Sequence, residues 1–242
     1  DPRSVYERKL EIVERNLYGV DIDEMAVEIA RLRLWLSLVV DFQGEGAPPP
    51  LPNLDFKIRQ GDSLLAPAPN PQQLALRKSL VDQFARAKAE YLHAADPNQK
   101  KRLREEIEAL ERQIAAWGEY ERHDGFDWAV EFAEVFAGGG FDIVITNPPY
   151  VRQELIERQL GRGYKRRLAE RYPDVYTSTS DLYVAFYGRA RHLLREGGVG
   201  CFISSDKWLR AAYGERLRRA LLDQQRVRLV VEFGDLPVFQ AT

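Results

Sequence analysis

The chain has 242 residues and a net charge of −2, and its 45% hydrophobic and 30% charged residues are typical of a globular protein and exclude a disordered chain. No apolar run approaches the roughly 20 residues of a membrane span, no secretory signal is visible, and the single cysteine, Cys201, excludes an internal disulfide and suits the cytoplasm, where we expect the protein. The charge is uneven, because residues 151–242 hold 17 lysines and arginines against 11 acidic residues, whereas residues 1–150 hold 18 against 26.

The N-terminal part alternates amphipathic helices with short apolar strands. The spacing of apolar residues predicts a helix over 4–15, a strand over 17–22, a helix over 24–40 and a second strand over 55–60. A glycine- and proline-rich loop is predicted over 44–50. Each of the two strands is followed by acidic residues, Asp21 and Asp62 among them.

Between residues 67 and 127 the pattern changes to two runs in which apolar residues recur every three or four positions. Asp96 and Pro97 separate the runs, and these residue types suit a helix N-cap and a first helical turn. The segment therefore predicts an antiparallel helical hairpin, inserted over 67–127 into the surrounding domain. A solvated structural arm is favoured for it over a dedicated DNA clamp.

The C-terminal part continues the alternation. We predict strands over 141–146, 199–203 and 227–233, and helices over 181–194, with Gly197 and Gly198 as its C-cap, and over 214–222. The first of these strands is apolar enough for burial on both faces, and Cys201 is expected to be inert core. The fold class is α/β, with a doubly wound, mostly parallel sheet whose ligands lie at the carboxyl ends of the strands.

The sequence Asn147-Pro148-Pro149-Tyr150, directly after a predicted strand, is the most informative motif. An exocyclic amine of a base is a poor nucleophile, and two acceptors that bind both its hydrogens localise its lone pair. The Asn147 side-chain oxygen and the Pro148 carbonyl can be these acceptors, since prolines hold the backbone stiff and free of donors. Tyr150 offers a flat face for a base flipped out of the duplex. The alternative is a turn that merely ends a strand.

Residues 141–151 around this motif resemble the catalytic segment of DNA adenine-N6 methyltransferases of restriction–modification systems. Residues 17–23 and 30–36 are similar to the large methylases that fuse nuclease and methylase in one chain, and 181–186, 197–198 and 234–239 fit the same class. The resemblance implies an S-adenosylmethionine-dependent methyltransferase with a Rossmann-like sheet, acting on double-stranded DNA with a flipped adenine. Catalysis is then assigned to Asn147, Pro148, Pro149 and Tyr150.

The resemblance also implies a cofactor site. Asp21 matches the acid that accepts the ribose hydroxyls of S-adenosylmethionine, and Asp62 matches the acid near its adenine. The implied set is Asp21, Ile22, Asp62, Ser63 and Asn147. A helix cap or turn acid is the alternative for each aspartate, and for Asp23 it is the preferred one.

One departure from the family pattern stands out. The glycine-rich strand–turn–helix that should cradle the methionine part of the cofactor has no counterpart in residues 1–16. We therefore expect residues 1–242 to be a partial catalytic domain that lacks this first strand and a target-recognition domain. Its partner is expected to be the remainder of a larger polypeptide, with a nuclease in the fused members of the class.

Two basic stretches, 152–171 and 207–228, follow strand ends, and phosphate contacts are the favoured interpretation over ordinary charged helix faces. The three histidines have no metal-ligand spacing, so no metal site is assigned. Two other functions stay open at this point. One is a protein-glutamine or RNA methyltransferase, and the other is a DNA-binding fragment without turnover.

Overall fold

The computed structural model describes residues 4–44, 46, 52–67, 74, 78–116, 126–234 and 236. The chain divides into two compact units, Asp1–Phe141 and Asp142–Thr242. Both units mix helices with short strands, and the described strands form two separate two-stranded sheets. The expected α/β class therefore holds at this coarser level. The described residues do not form the single doubly wound sheet that the sequence predicts.

The first unit opens with helix α1 (Val5–Arg15), strand β1 (Gly19–Asp21) and helix α2 (Glu24–Val39). Ser4 caps α1 through a capping box with Glu7, and this local pairing of orphan amides explains why the helix begins there. Only the second half of the predicted strand over 55–60 forms a strand. A 3₁₀ turn, Leu54–Phe56, precedes strand β2 (Ile58–Gln60).

β1 and β2 pair in parallel, with Gly19 opposite Ile58 and Asp21 opposite Gln60. The Gly61 amide continues the ladder by donating to the Asp21 carbonyl at 2.8 Å. The apolar core around this pair comes from both helices, the 3₁₀ turn, β2 and the later helix over 78–93, and it contains Val13, Val27, Leu38, Leu54, Ile58 and Leu92. The pairing brings the carboxyl ends of two strands, and the acids that follow them, to one edge.

Two longer helices follow, α3 (Lys78–His93) and α4 (Pro97–Ala115), and they pack against each other. Asp96 accepts a hydrogen bond from the Asn98 amide as the N-cap of α4, with Pro97 in its first turn, as the sequence predicts. The predicted apolar positions that are buried are Phe84, Ala87, Tyr91, Leu103, Ile107, Leu110 and Ile114. Most of the expected loop over 44–50 lies outside the described residues. Two short helices, α5 (Trp128–Glu131) and α6 (Ala133–Ala137), complete the unit.

The second unit contains nearly all of strand β3 (Phe141–Thr146), whose bounds match the predicted strand, and strand β4 (Leu194–Phe202). The two strands pair and run in the same direction, since Arg195 near the start of β4 binds Asp142 near the start of β3, and the Ile203 amide donates to the Thr146 carbonyl where both end. The helices are α7 (Ile156–Leu160), α8 (Tyr164–Arg171), α9 (Tyr183–Leu193), α10 (Lys207–Arg210) and α11 (Glu215–Gln224).

Three predictions for this unit are wrong. Residues 227–233 form no strand, because no described strand lies beside them to satisfy their backbone groups, and their apolar side chains are exposed. Gly197 and Gly198 do not cap a helix, since α9 ends at Leu193 and both glycines lie within β4. Cys201, which lies in β4, is exposed rather than core.

The expected burial of β3 on both faces is also wrong. Ile143 is 60% exposed and Ile145 is 78% exposed. A related stripe lies on α2 in the first unit, where Met25, Ile29, Leu32 and Leu36 recur on one helical face and each is close to half exposed or more. Neither surface is covered by the described residues, whereas apolar faces of this kind are ordinarily buried.

Candidate active site

The 147–150 turn leaves β3 at its carboxyl end. Asn147, Pro149 and Tyr150 are exposed, whereas Pro148 is buried. The Ile203 amide fixes the entry to the turn by donating to the Thr146 carbonyl at 3.1 Å. The predicted catalytic residues thus follow one another at a strand end, three of the four are exposed, and the asparagine side chain is accessible to a ligand.

Tyr150 lies against Asn147. Its hydroxyl donates to Asn147 Oδ1 at 3.2 Å and lies 3.3 Å from the carbonyl oxygen of Ile203. One hydroxyl proton is therefore shared between two acceptors. The side chain remains 53% exposed, so the ring is open to solvent while its tip is held. An amide acceptor and an aromatic face consequently adjoin one point of the surface.

The end of β4 supplies an aromatic and hydroxyl-bearing wall close to this turn. The Tyr187 ring stacks on Phe202 with centroids 4.0 Å apart and an interplanar angle of 9°, and its hydroxyl lies 2.7 Å from Ser204 Oγ. Burial raises the pKa of the Tyr187 hydroxyl, and the neighbouring Tyr150 adds to that rise. Tyr187 therefore stays a neutral hydrogen-bonding group.

The acids of the first unit lie at the edge formed by β1 and β2. Asp21 is exposed, and its Oδ1 accepts the Asp23 amide at 2.9 Å. An ionised carboxylate has about four acceptor positions, so this bond leaves room for hydroxyl donors of a ligand. Ile22, also exposed, contributes its carbonyl to Gln60 Nε2 at 3.3 Å. The expected N-cap role of Asp23 is confirmed, since it accepts from the first amides of α2.

Asp62 and Ser63 follow β2 on the same edge. Asp62 Oδ1 accepts the amides of Leu64 and Leu65 at 2.9 and 3.0 Å, which is the turn-stabilising contact that the alternative interpretation describes. The Ser63 carbonyl accepts the indole N–H of Trp128 at 3.1 Å. Asp62 therefore has a structural task, and a ligand would reach it in addition to that task.

Several arginines of the basic stretches bind groups of the second unit. Arg216 donates to the Pro173 carbonyl at 3.0 Å, Arg218 donates to that of Ala211 at 3.0 Å, and Arg210 pairs with Glu232 at 2.6 Å. These arginines therefore already have partners within the second unit, although Arg210 and Arg216 are exposed. Arg158 and Arg162 are also exposed, on and just after α7.

One residue of this region, Asp181, escaped the sequence-based assignment. Its Oδ1 accepts the amide of Gln153, three residues beyond Tyr150, at 2.9 Å. An aspartate just before a helix reads as an N-cap of that helix, so the sequence carries no signal for this long-range contact.

The chain is similar in sequence to a family of methylases and to several known proteins. The family model of the Eco57I restriction-modification methylases matches residues 15–239. The chain is 39% identical to the type II methyltransferase M.BstVI of Geobacillus stearothermophilus over 41% of its own length and 17% of that protein's. No described helix is both long and apolar enough to span a membrane.

Two relatives match nearly the whole chain. The putative type II restriction enzyme and methyltransferase RM.MjaORFECS2P of Methanocaldococcus jannaschii is 25% identical over 94% of this chain and 25% of its own length. The type II restriction enzyme and methyltransferase RM.Eco57I of Escherichia coli is 23% identical over 97% of this chain and 18% of its own length. The chain thus spans a quarter or less of these relatives.

Proposed function

Because the chain belongs to the Eco57I restriction-modification methylase family, we propose that it forms the catalytic core of a DNA methyltransferase that modifies the N6 amine of adenine. The observation that carries this proposal is the contact between Asn147 Oδ1 and the Tyr150 hydroxyl on an exposed turn at the end of β3. A polar acceptor beside an accessible ring is what an extruded base with an exocyclic amine requires.

Asn147 and Pro148 are the two proposed amine acceptors. Asn147 Oδ1 accepts one amine hydrogen and the Pro148 carbonyl accepts the other, which turns the nitrogen lone pair toward the methyl donor. Pro149 adds stiffness to the turn, since it has no amide donor and a restricted φ. Acceptors that are fixed in advance cost no reorganisation at the moment of reaction.

Tyr150 is proposed to stack on the flipped adenine. The exposure of its ring supports this role, and stacking contributes roughly 1–3 kcal/mol per base. The contact of its hydroxyl with Asn147 adds a second role that the sequence did not indicate. It holds the amide oxygen in place until the amine of the base replaces the hydroxyl there.

S-adenosylmethionine, the proposed cofactor, supplies an electrophilic methyl group when it is bound. Asp21 is proposed to accept its ribose hydroxyls, and the exposed, only partly used carboxylate supports this. Asp62 is proposed to lie by its adenine, with Ile22 and Ser63 lining the same edge and Asn147 contacting the cofactor as well. The parallel pairing of β1 with β2 supports a shared site for the first four of these residues.

The remaining parts of the machinery are proposed to lie in a larger polypeptide. A glycine-rich strand and turn would complete a doubly wound sheet, and a target-recognition domain would select the DNA sequence. The uncovered apolar faces of α2 and β3 support this proposal, because a further sheet element would bury them. A fused nuclease follows the pattern of the two long relatives.

DNA backbone binding is proposed for the exposed part of the basic stretches. Arg158 and Arg162 are the favoured phosphate contacts, since the arginines that hold backbone carbonyls have structural tasks. The helices α3 and α4 are proposed to form a structural arm. Their cations Lys88, Lys100 and Arg104 bind groups of the same unit rather than projecting toward a ligand.

The test of the proposed function is Asn147→Ala in the intact protein. N6-methyladenine is measured by mass spectrometry in DNA from a strain that lacks this modification, after incubation with S-adenosylmethionine. Losing one positioned hydrogen bond of this kind costs about 10²–10³ in rate. Asn98→Ala, at an exposed position in the first turn of α4, is the matched control and should keep the parent rate.

Other outcomes separate the rival functions. Methyl transfer within about tenfold of the parent would remove Asn147 from the mechanism. Methylation of RNA or of protein glutamine instead of DNA would transfer the same chemistry to another substrate. DNA binding without any methyl transfer by the intact protein would favour the non-catalytic alternative.

A further inference from the structure

The segment that follows the 147–150 turn is fastened to the start of α9. The Leu182 amide donates to the Val151 carbonyl at 3.0 Å, and the Gln153 amide donates to Asp181 Oδ1 at 2.9 Å. Together with the Ile203–Thr146 bond on the other side, the turn is held before and after its four residues. Its position is therefore set by contacts that span about 30 to 60 residues of sequence.

The Asp181 carboxylate does not serve the helix that it precedes. Leu182 occupies the cap position of α9, and no side-chain cap bond is formed there. An aspartate at a helix start ordinarily accepts that helix's first amides, and this contribution is redirected here to the Gln153 amide of another segment. Bonds to a charged acceptor are about twice as strong as neutral ones.

Two tyrosine hydroxyls lie close to the carboxylate. Burial raises the pKa of the hydroxyl of Tyr213, in the 3₁₀ turn Ala212–Gly214, and the neighbouring Asp181 carboxylate adds to that rise. The Tyr213 hydroxyl lies 2.9 Å from that of the buried Tyr183, and either of the two can be the donor. The Gln153 amide is the donor that defines the position of the Asp181 carboxylate.

We infer that Asp181 is a positioning residue for methyl transfer, which it serves by fixing the chain just beyond Tyr150. This inference rests on the proposed function of the 147–150 turn. The chemistry needs the Pro148 carbonyl and Asn147 Oδ1 in register with one amine. A backbone displacement of about 1 Å at such a point costs about 10²-fold in rate.

Two substitutions in the intact protein separate position from charge. Asp181→Asn keeps the length and one acceptor oxygen but loses the charge, whereas Asp181→Glu keeps the charge and lengthens the side chain by one methylene. We expect the glutamate variant to lower kcat for DNA methylation by about 10–10²-fold, with KM for S-adenosylmethionine within about twofold. The asparagine variant should stay within about fivefold of the parent kcat.

Asp223→Asn, at an exposed position on α11, is the matched control, because it makes the same chemical change away from the Gln153 bond. Its kcat should remain within about threefold of the parent. Thermal unfolding is measured for every variant. If the glutamate variant unfolds, Asp181→Ser replaces it. The serine side chain is too short to reach the Gln153 amide, and serine is a common residue at a helix start.

A parental kcat in Asp181→Glu, or in the serine variant where it replaces glutamate, would overturn the inference. So would an asparagine variant slower than the glutamate one, which would make charge the relevant property. Asn147→Ala in the same assay distinguishes failure of this inference from failure of the proposed function. Retained activity there rejects the proposed function, whereas its loss alongside unimpaired Asp181 variants rejects only this inference.

Discussion

At the residue scale, Tyr150 combines two properties, an exposed ring and a hydrogen-bonded hydroxyl. Its ring is open to solvent, and its hydroxyl is shared between Asn147 Oδ1 and the Ile203 carbonyl. Neither hydrogen bond is short, so an incoming amine can replace the hydroxyl on Asn147 while the bond to Ile203 remains. The exposed ring and the amide acceptor thus lie side by side in the proposed site.

Substitution of Tyr150 separates these properties. Tyr150→Ala should weaken productive capture of the base by about 1–3 kcal/mol, because the stacking face is lost. Tyr150→Phe keeps the face and loses only the hydroxyl contacts, so we expect it to stay within about fivefold of the parent kcat/KM. Steady-state methylation of DNA by the intact protein measures both. Equal damage from phenylalanine and alanine would assign the main role to the hydroxyl.

At the element scale, the helices α3 and α4 are joined to the first sheet by a charged cluster around Asp55. The Tyr91 hydroxyl donates to Asp55 Oδ2 at 2.6 Å, and Arg104 Nη2 lies 2.5 Å from the same oxygen. Arg31 on α2 approaches the other oxygen at 3.4 Å. Burial alone raises the pKa of Asp55, but the bond from Tyr91 and the charges of Arg31 and Arg104 outweigh it and hold the pKa below its ordinary value.

Asp55→Asn should therefore lower the free energy of unfolding by about 1–3 kcal/mol near neutral pH. Because the folded pKa is the lower one, the contribution of the carboxylate is present above its unfolded pKa and is lost as the pH falls through the folded value. The difference between parent and variant should accordingly shrink below about pH 4.

Urea denaturation at several pH values measures this difference. Asp82→Ala, at an exposed position on α3, is the control and should change stability by less than about 0.5 kcal/mol. A difference that stays constant down to strongly acidic pH would show that the asparagine variant acts through shape and not through charge.

At the scale of the whole molecule, helix α2 and strand β3 expose apolar surface that such elements ordinarily bury in an α/β fold. The stripe on α2 and the isoleucines of β3 are exposed, and β1 and β3 belong to different two-stranded sheets. An additional parallel strand with its helix would bury such faces and place backbone amides against an anionic group of a ligand.

Residues 1–242 alone should thus bind S-adenosylmethionine at least about tenfold more weakly than the intact protein and transfer no methyl group. Asp21 and Asp62 would contact only the adenosine part of the cofactor, since the cradle for its methionine part is proposed to lie outside these residues. Calorimetric titration of both proteins measures the difference. Equal affinities would show that residues 1–242 already contain a complete cofactor pocket.

Local features were predictable from the sequence because they depend on near neighbours. The bounds of β3, the caps at Asp23 and Asp96, and the buried seam between α3 and α4 follow from periodicity and from side chains a few positions apart. The same applies to the exposed 147–150 turn, since two prolines after an apolar strand enforce a turn.

Only the tertiary structure decided which distant groups meet. Asp181 reaches Gln153 across 28 residues, and Tyr150 reaches the Ile203 carbonyl across 53, contacts for which the sequence has no local pattern. Residues 227–233 have the composition of a strand but pair with no other strand in the described part of the chain. Strand formation needs a partner whose position is set by packing. The spacing of apolar residues in the sequence predicts a helix or a strand, whereas the burial and the partners of that element depend on what packs against it.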